Sequence, residues 1–356
     1  MSYNLELHKI DLKLGSITNP DDKIILLKQA ILLADSNNDL ECGFDFRLEL
    51  IEEEFRTSRC IESFPAFTWL LETYDKNPEI FDEKDLLWKY RWLAQASYRN
   101  SNIEKEQIEK IFEDLKSRMT KNGYSLRGYY SLIIRWYNFI GDIEASDAYI
   151  ELREKDTRDD MSHCVACELD ISIESELIKG NVDRAIDIVH DIFVKKLSCN
   201  RMPFTTFCKF AYYLNKLGDS RAADFYEKAM YELKKNVDEE YGTFLSTVSL
   251  LINYLIYNDR EKAFELFEKY SPWDFNSEDS LQFDFSVNVL NLFNVEGSRK
   301  IRISATHPLY DDSGEYNLKD LYSYYYNRAL DLAHKFDARN KTDNFKNLLT
   351  KETMSK

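Results

Sequence analysis

Three cysteines form the sharpest constellation of potentially reactive side chains in this sequence. Cys164 and Cys167 make a Cys-x-x-Cys pair preceded by His163, and Cys199 follows further along the chain. A pair with this spacing can hold zinc, or can form a redox dithiol when it opens a helix. A structural zinc site takes four ligands, and the sequence offers no second Cys-x-x-Cys or histidine pair.

The apolar pattern around the pair favours core packing instead. In a helix predicted over residues 162–179, Cys164, Cys167, Ile171 and Ile178 fall on one apolar stripe. Cysteine is also a common small residue in protein cores. We therefore expect packed thiols with no metal and no cofactor. An enzyme, or a redox or zinc-site protein that uses Cys164 and Cys167, is the alternative.

Other catalytic patterns are missing from the sequence. The five histidines are scattered and none lies in a metalloprotease-like helix motif: His8, His163, His190, His307 and His334. There is no Gly-x-Ser-x-Gly elbow, no phosphate-binding loop and no dinucleotide fingerprint. We expect a protein that is not an enzyme.

Polar residues at helical spacing provide candidates for binding. Arg91 and Gln95 lie four residues apart on one predicted helix, and Arg135 and Asn138 lie three apart on another. Arginine and asparagine can hold a peptide backbone or an acidic group. The alternative is an ordinary solvated face. These four residues can act together only if the helices that carry them stand side by side.

The composition predicts an all-α protein. The 356 residues include only 10 Gly and 6 Pro, too few for the frequent turns of a β-sandwich or barrel. Hydrophobic residues make up 44% and charged residues 31%, as in an ordinary folded protein.

A recurring phrase predicts how the helices are arranged. Its four copies cover residues 141–149, 180–185, 218–222 and 258–263. In each copy Gly or Asn takes the left-handed conformation that ends a helix, and a polar residue then caps the next helix. A small residue follows and lets two helices approach. The small residues are 40, 37 and 41 residues apart: Ala145, Ala185, Ala222 and Ala263.

These signals predict helices over most of the chain. The predicted ranges are 21–36, 40–58, 62–75, 84–98, 103–121, 125–140, 143–154, 162–179, 182–196, 204–217, 220–236, 241–257, 260–270, 278–293, 317–336 and 341–350. We divide the chain into a helical-repeat solenoid (1–294), an inserted loop with a possible short hairpin (295–316), and a helical C-terminal cap of the same domain (317–356).

The repeats resemble the tetratricopeptide family. Residues 225–229 after Gly218 and Asp219, and residues 263–269, look like the second helix of such a repeat, although the period is longer than the 34 residues typical of that family. The stretch from His163 through Cys199 and Pro203 to residues 336–340 is similar to a group of bacterial tetratricopeptide-repeat proteins of no assigned activity. The resemblance implies a right-handed α-solenoid of about seven helix pairs whose first helices line a concave groove.

Charge limits the range of partners. The formal net charge of −16 and a pI near 4.9 argue against binding nucleic acid through its phosphates. No segment is apolar enough to span a bilayer, and six cysteines without a secretion signal favour reduced thiols in the cytoplasm. We expect a scaffold or regulatory module that binds a protein or peptide through Arg91, Gln95, Arg135 and Asn138. A purely structural subunit of a larger assembly is a further alternative.

Overall fold

The computed structural model describes residues 3–57, 59–199, 201–235 and 244–354. It is 74% helical, which confirms the all-α prediction. In chain order the α-helices α1 to α17 are Tyr3–Leu14, Pro20–Ser36, Leu40–Arg56, Ser63–Lys76, Glu83–Arg99, Lys105–Lys121, Arg127–Ile140, Ile143–Lys155, Val165–Lys179, Val182–Val194, Phe204–Lys216, Ala222–Lys235, Phe244–Asn258, Arg260–Asp274, Asp279–Val289, Leu318–Asn340 and Asn344–Met354. A short 3-10 helix, Leu290–Leu292, follows α15. Across the described residues, no helix has the length and apolar character needed to cross a membrane.

The predicted helices correspond to α2 through α17, with ends that shift by a few residues. The predicted residues 58, 236 and 241–243 lie outside the described part of the chain. Helix α1 was not predicted from the sequence. It buries only Leu14, and Leu7 and Ile10 pack against the core from partly buried positions. These three residues have the spacing of one helix face, so the apolar periodicity is present although no helix was predicted there.

The repeated phrase does make tight turns between helices. Gly141 and Gly180 are left-handed, with φ of 80° and 78°, and end α7 and α9. Asp142 caps α8 through the backbone N–H of Ala145. The prediction that Asn258 takes the left-handed conformation is wrong. Asn258 is the last helical residue of α13 and does not have a positive φ. Asp259 alone separates α13 from α14, which leaves no room for a left-handed residue.

The small residue at the helix crossing was misplaced in the first copy of the phrase. Ser146 is fully buried, whereas its neighbour Ala145 is half-buried. In the other copies the predicted alanines Ala185, Ala222 and Ala263 are buried. The buried position follows the turn residue by five positions at Ser146, Ala185 and Ala263, so the first copy is shifted by one residue.

Consecutive helices pack as pairs, and alternate helices contact one another in succession. The pairs include α2 with α3, α7 with α8, α9 with α10, α11 with α12, α13 with α14 and α15 with α16. Helices α5, α7, α9, α11, α13 and α15 each contact the next in this series. The contacts have the neighbour-to-neighbour pattern of a helical-repeat fold.

The series of alternate helices closes on itself, because α15 also contacts α5. Arg99 at the end of α5 forms an ion pair with Glu278 just before α15, with an N–O distance of 3.3 Å. The backbone N–H and the hydroxyl of Ser101 both donate to the Asp279 carboxylate, at 2.8 and 2.6 Å. Six helices thus surround an interior, and we call them the inner helices: α5, α7, α9, α11, α13 and α15.

The C-terminal helices cover one end of this ring. Phe336 on α16 and Phe345 on α17 contact Phe139 near the end of α7, with ring centroids 5.4 and 4.9 Å apart. Glu352 on α17 forms an ion pair of 2.7 Å with Lys216, the last residue of α11. Helix α17 therefore lies against the C-terminal ends of the inner helices.

The segment 295–316 contains the pairing expected of a hairpin. Strand β1, Ser298–Lys300, pairs antiparallel with β2, Glu315–Asn317. The predicted alternation over 300–304 appears as burial of Ile301 and Ile303, although only Lys300 of that run lies in a strand. Both isoleucines belong to the larger hydrophobic core, and this anchors the segment to the helical body.

Candidate ligand-binding site

Arg91, the first of the four predicted binding residues, is part of the protein interior. Its side chain is only 5% exposed, its guanidinium donates to the carbonyl of Met161, and it lies 4.1 Å from the centroid of the Trp88 ring. Gly128 leaves the space for this contact, because a Cβ there would collide with the Met161 carbonyl. Arg91 thus ties α5 to the loop before α9, and the expectation that it is accessible to a ligand is wrong.

Asn138 is engaged by its own protein. Its Nδ2 donates to the hydroxyl of Ser175 at 2.9 Å, and its Oδ1 accepts from the hydroxyl of Ser146 at 2.7 Å. These bonds join α7 to α8 and α9 at the buried helix crossing. Both ends of the amide are used, so Asn138 holds the helix pair together.

Gln95 and Arg135 remain available for a ligand. Both side chains are half-buried on inner helices, α5 and α7. Neither has a hydrogen bond or ion pair with any of the residues that the structure describes. Of the four predicted binding residues, Arg91 and Asn138 therefore form contacts within the protein. Gln95 and Arg135 form no hydrogen bond or ion pair with the described residues.

Charged groups from neighbouring inner helices surround Arg135. The charge of Arg135 acts on Lys209 of α11, which donates to Asp170 and Glu174 of α9 at 2.7 and 2.9 Å. Desolvation disfavours the Lys209 ammonium, but these two carboxylates outweigh it and raise its pKa. Asp170 and Glu174 together carry one more charge than the Lys209 ammonium, and Arg135 lies near this group without a hydrogen bond or ion pair to any of the described residues.

Asp284 on α15 shows how enclosed the interior is. Desolvation raises the pKa of its carboxyl to about 6, although Ser246 donates a hydrogen bond of 2.7 Å and Arg99 acts in the opposite direction. Even so, Asp284 keeps part of its surface exposed. The Asp284 carboxyl is therefore desolvated where α13 and α15 contact each other.

His163 completes the surroundings of Arg135 on the side of α9. Desolvation and the nearby charges of Arg91 and Arg135 hold the pKa of its imidazole well below the ordinary value. Its Nδ1 is buried and has no hydrogen-bond partner. The ring is therefore neutral near pH 7, and it does not supply a charge that would balance or repel a ligand.

Several residues of this interior were missed by sequence reasoning: Arg99, Glu174, Lys209, Tyr213 and Asp284. Their signal is present in the four-residue spacing of Asp170 with Glu174 and of Lys209 with Tyr213. Burial raises the pKa of the Tyr213 phenol, which keeps it protonated. The interior thus offers one free guanidinium, an amide, a phenol and a carboxyl. This set can bind a ligand that carries both an acidic group and hydrogen-bonding groups.

The cysteines are arranged differently from the prediction. Cys164 is exposed and is the N-cap residue of α9, so it lies outside the helix and off the apolar stripe. Ile178 at the other end of that stripe is 36% exposed. Cys167 and Cys199 are half-buried, and their sulfur atoms lie 3.3 Å apart. The pair therefore opens the helix, as the metal and redox alternatives require.

Comparison with known proteins found no family model, no curated protein and no solved structure that matches this chain.

Proposed function

We propose that this chain is a non-catalytic binding module that takes an extended peptide segment with an acidic end into the interior of its inner helices. Arg135 would bind the acidic end, and Gln95 would hydrogen-bond the backbone next to it. These residues lie on α5 and α7, two inner helices that contact each other. In this role the chain acts as a scaffold or as the sensing half of a regulatory pair.

The unpaired guanidinium of Arg135 carries the proposal. Most arginines near it have partners, as Arg99 has in Glu278. A half-buried guanidinium that has no hydrogen-bonded or ion-paired partner among the described residues leaves its donors unsatisfied. A carboxylate placed there forms charge-assisted hydrogen bonds, each worth about 1.5–3 kcal/mol. With a net charge of −16, Arg135 is a local exception that selects for the acidic end of a ligand.

The finer description of the fold belongs to the same proposal. We infer a right-handed solenoid of tetratricopeptide-like repeats, supported by the successive helix pairs and by the glycine turns at Gly141 and Gly180. Such repeats commonly present their first helices to a peptide. All six cysteines are free thiols, which fits a reducing cytoplasmic setting.

A peptide array tests the proposal without knowledge of the natural partner. Extended peptides with a free acidic C-terminus are compared with the same sequences amidated, on wild type and on Arg135→Gln. Arg184→Gln is the matched control, because Arg184 is exposed on the outer helix α10 and has no ion pair among the described residues. Both substitutions remove one positive charge, so they differ only in where the charge was.

We expect wild type and Arg184→Gln to prefer the free acids, and Arg135→Gln to lose that preference with its melting temperature unchanged. Gln95→Ala should weaken binding of free and amidated peptides alike. If Arg135→Gln and wild type bind the peptides with a free acidic C-terminus equally well, Arg135 does not bind the acidic end of the ligand. No binding of any acid by wild type would remove the proposal.

A further inference from the structure

A cluster of three thiols lies at the N-terminus of α9, outside the interior described above. The sulfur atoms of Cys164, Cys167 and Cys199 all lie within 4.8 Å of one another. Cys164 and Cys167 come from the start of α9, and Cys199 comes from the connection between α10 and α11. Three ligand atoms from two separate segments therefore meet at one point.

Backbone N–H groups point at two of the sulfur atoms. The N–H of Cys167 donates to the Cys164 sulfur at 3.4 Å. Cys199 and Met202 exchange backbone hydrogen bonds of 3.0 and 3.4 Å across a tight turn. The N–H groups of Arg201 and Met202 act on the Cys199 sulfur. Such donors stabilise negative charge on sulfur, which is the form that binds metals.

Packing alone does not explain the cluster, as Cys208 shows. Cys208 is fully buried within α11, and desolvation raises its pKa well above the ordinary value. It behaves as a small apolar core residue. Cys164 is instead exposed, and Cys167 and Cys199 are half-buried. The cluster therefore borders solvent at Cys164.

We propose that Cys164, Cys167 and Cys199 bind a zinc ion through three thiolates and leave its fourth position open to water. Among the residues that the structure describes, no histidine or carboxylate joins these three sulfur atoms in a metal-sized group. Binding releases the remaining thiol protons to solvent and involves no change of oxidation state. Soft sulfur ligands suit zinc, and three protein ligands with a water in the fourth position are the coordination known from catalytic zinc sites.

Zinc at this position would join the connection between α10 and α11 to the start of α9. It would fasten the Cys199 turn to the N-terminus of α9. Metal binding of this kind contributes directly to stability, since the site is assembled only in the folded chain. The inference is independent of the proposed function, because it uses none of the residues of the interior.

Zinc alone is the probe for the test. Full-length protein is purified under reducing conditions without chelator, its zinc is counted by elemental mass spectrometry, and its affinity is measured against a chromophoric chelator. Cys164→Ser is the decisive variant, because serine accepts the same N-cap hydrogen bond and the side chain is exposed. Cys42→Ser is the matched control, since Cys42 lies in the first turn of α3 away from the cluster.

We expect one zinc per chain in wild type and in Cys42→Ser, and loss of that zinc in Cys164→Ser with unchanged helicity. Cadmium in place of zinc should give the charge-transfer absorbance of three thiolates in wild type and of fewer in the variant. Retention of zinc by Cys164→Ser would overturn the three-thiolate site. A wild type that binds no zinc after full reduction would overturn it too, whether or not Cys167 and Cys199 had been found as a disulfide.

Discussion

Replacement of two similar glycines by alanine isolates the contact that holds α17 against the end of α7. Gly141 and Gly180 both end inner helices in the left-handed conformation, with φ of 80° and 78°. They differ in their surroundings. A Cβ at Gly180 would meet nothing within 4 Å, whereas one at Gly141 would lie 2.6 Å from the Asn344 Oδ1 and 2.7 Å from its Cγ.

The expected cost at each site is a sum of named effects. Alanine in the left-handed region costs about 1–2 kcal/mol, and this is the whole cost at Gly180. At Gly141 the Asn344 side chain must also move away, which breaks its 3.0 Å hydrogen bond to the Phe139 carbonyl. Loss of that bond adds about 1 kcal/mol. We therefore expect Gly180→Ala to cost about 1–2 kcal/mol and Gly141→Ala about 2–3 kcal/mol.

Urea unfolding followed by circular dichroism measures the loss of stability caused by Gly141→Ala and by Gly180→Ala. Asn344→Ala, combined with Gly141→Ala, completes a double-mutant cycle. In the Asn344→Ala background the hydrogen bond and the contacts at 2.6 and 2.7 Å are absent, and only the 3.2 Å contact with the Cβ of residue 344 remains, so the cost of Gly141→Ala should fall towards that of Gly180→Ala. The two positions are in contact, so this coupling should exceed the error of additivity, about 0.5 kcal/mol. Equal costs for Gly141→Ala and Gly180→Ala in the wild-type background would refute the docking of α17 described here.

The structure also sets expectations at three other positions. Asp284→Asn should stabilise the protein by about 1–3 kcal/mol at pH 7 in urea unfolding, because desolvation raises the pKa to about 6. Between the pKa of Asp284 in the unfolded chain and its pKa of about 6 in the folded protein, the folded state binds one more proton than the unfolded state. The free energy of unfolding of wild type therefore falls as pH rises through this window. Near pH 4 the carboxyl is neutral in the folded protein, so the stability difference between Asp284→Asn and wild type vanishes. Arg91→Glu should unfold the protein or lower its melting temperature sharply, because it buries an anion against the Met161 carbonyl; an unchanged melting temperature would contradict the burial of this side chain. Ala222→Leu should overpack the α11–α12 crossing and cost about 1–3 kcal/mol in the same unfolding assay.

The sequence contained enough information for the helices and their turns. Caps and glycines are local signals, and α8 begins after Asp142 where the sequence predicts it. The closure of α15 onto α5 was not predictable in this way. It depends on contacts such as that of Arg99 with Glu278, which are 179 residues apart, and neither residue has a distinctive neighbourhood in the sequence.

The sequence pattern does not predict which polar side chains of the candidate site are buried. Arg91 and Arg135 both occur at helical spacing among aromatic residues, and spacing alone cannot distinguish them. What separates them is the loop before α9, which places the Met161 carbonyl over Arg91 from 70 residues away. Arg135 has no such partner and stays available. Helical periodicity thus predicts the face of the helix on which a side chain lies. It does not predict whether a distant segment of the chain packs over that side chain.

For the cysteines, a shift of three residues in one helix boundary reversed the interpretation. A helix beginning at residue 162 places Cys164 inside its first turn, on an apolar stripe. The observed helix begins at Val165, and this makes Cys164 a cap with an exposed sulfur. The chemical role of the Cys164 and Cys167 pair depends on where the helix begins, and sequence signals fix such an end only to within a few residues.

The two proposals concern the same end of the molecule. Helix α17 covers the C-terminal ends of the inner helices, where Glu352 pairs with Lys216, so a ligand for Arg135 would have to enter from the opposite end. Cys164 caps the N-terminus of α9 at that opposite end, and His163 beside it lies within the electrostatic reach of Arg135. Zinc would therefore fasten the end of α9 that lies away from α17. If both proposals hold, chelation of zinc should weaken peptide binding without changing the preference for a free acid, because the metal orders the start of α9 and Arg135 binds the acidic end.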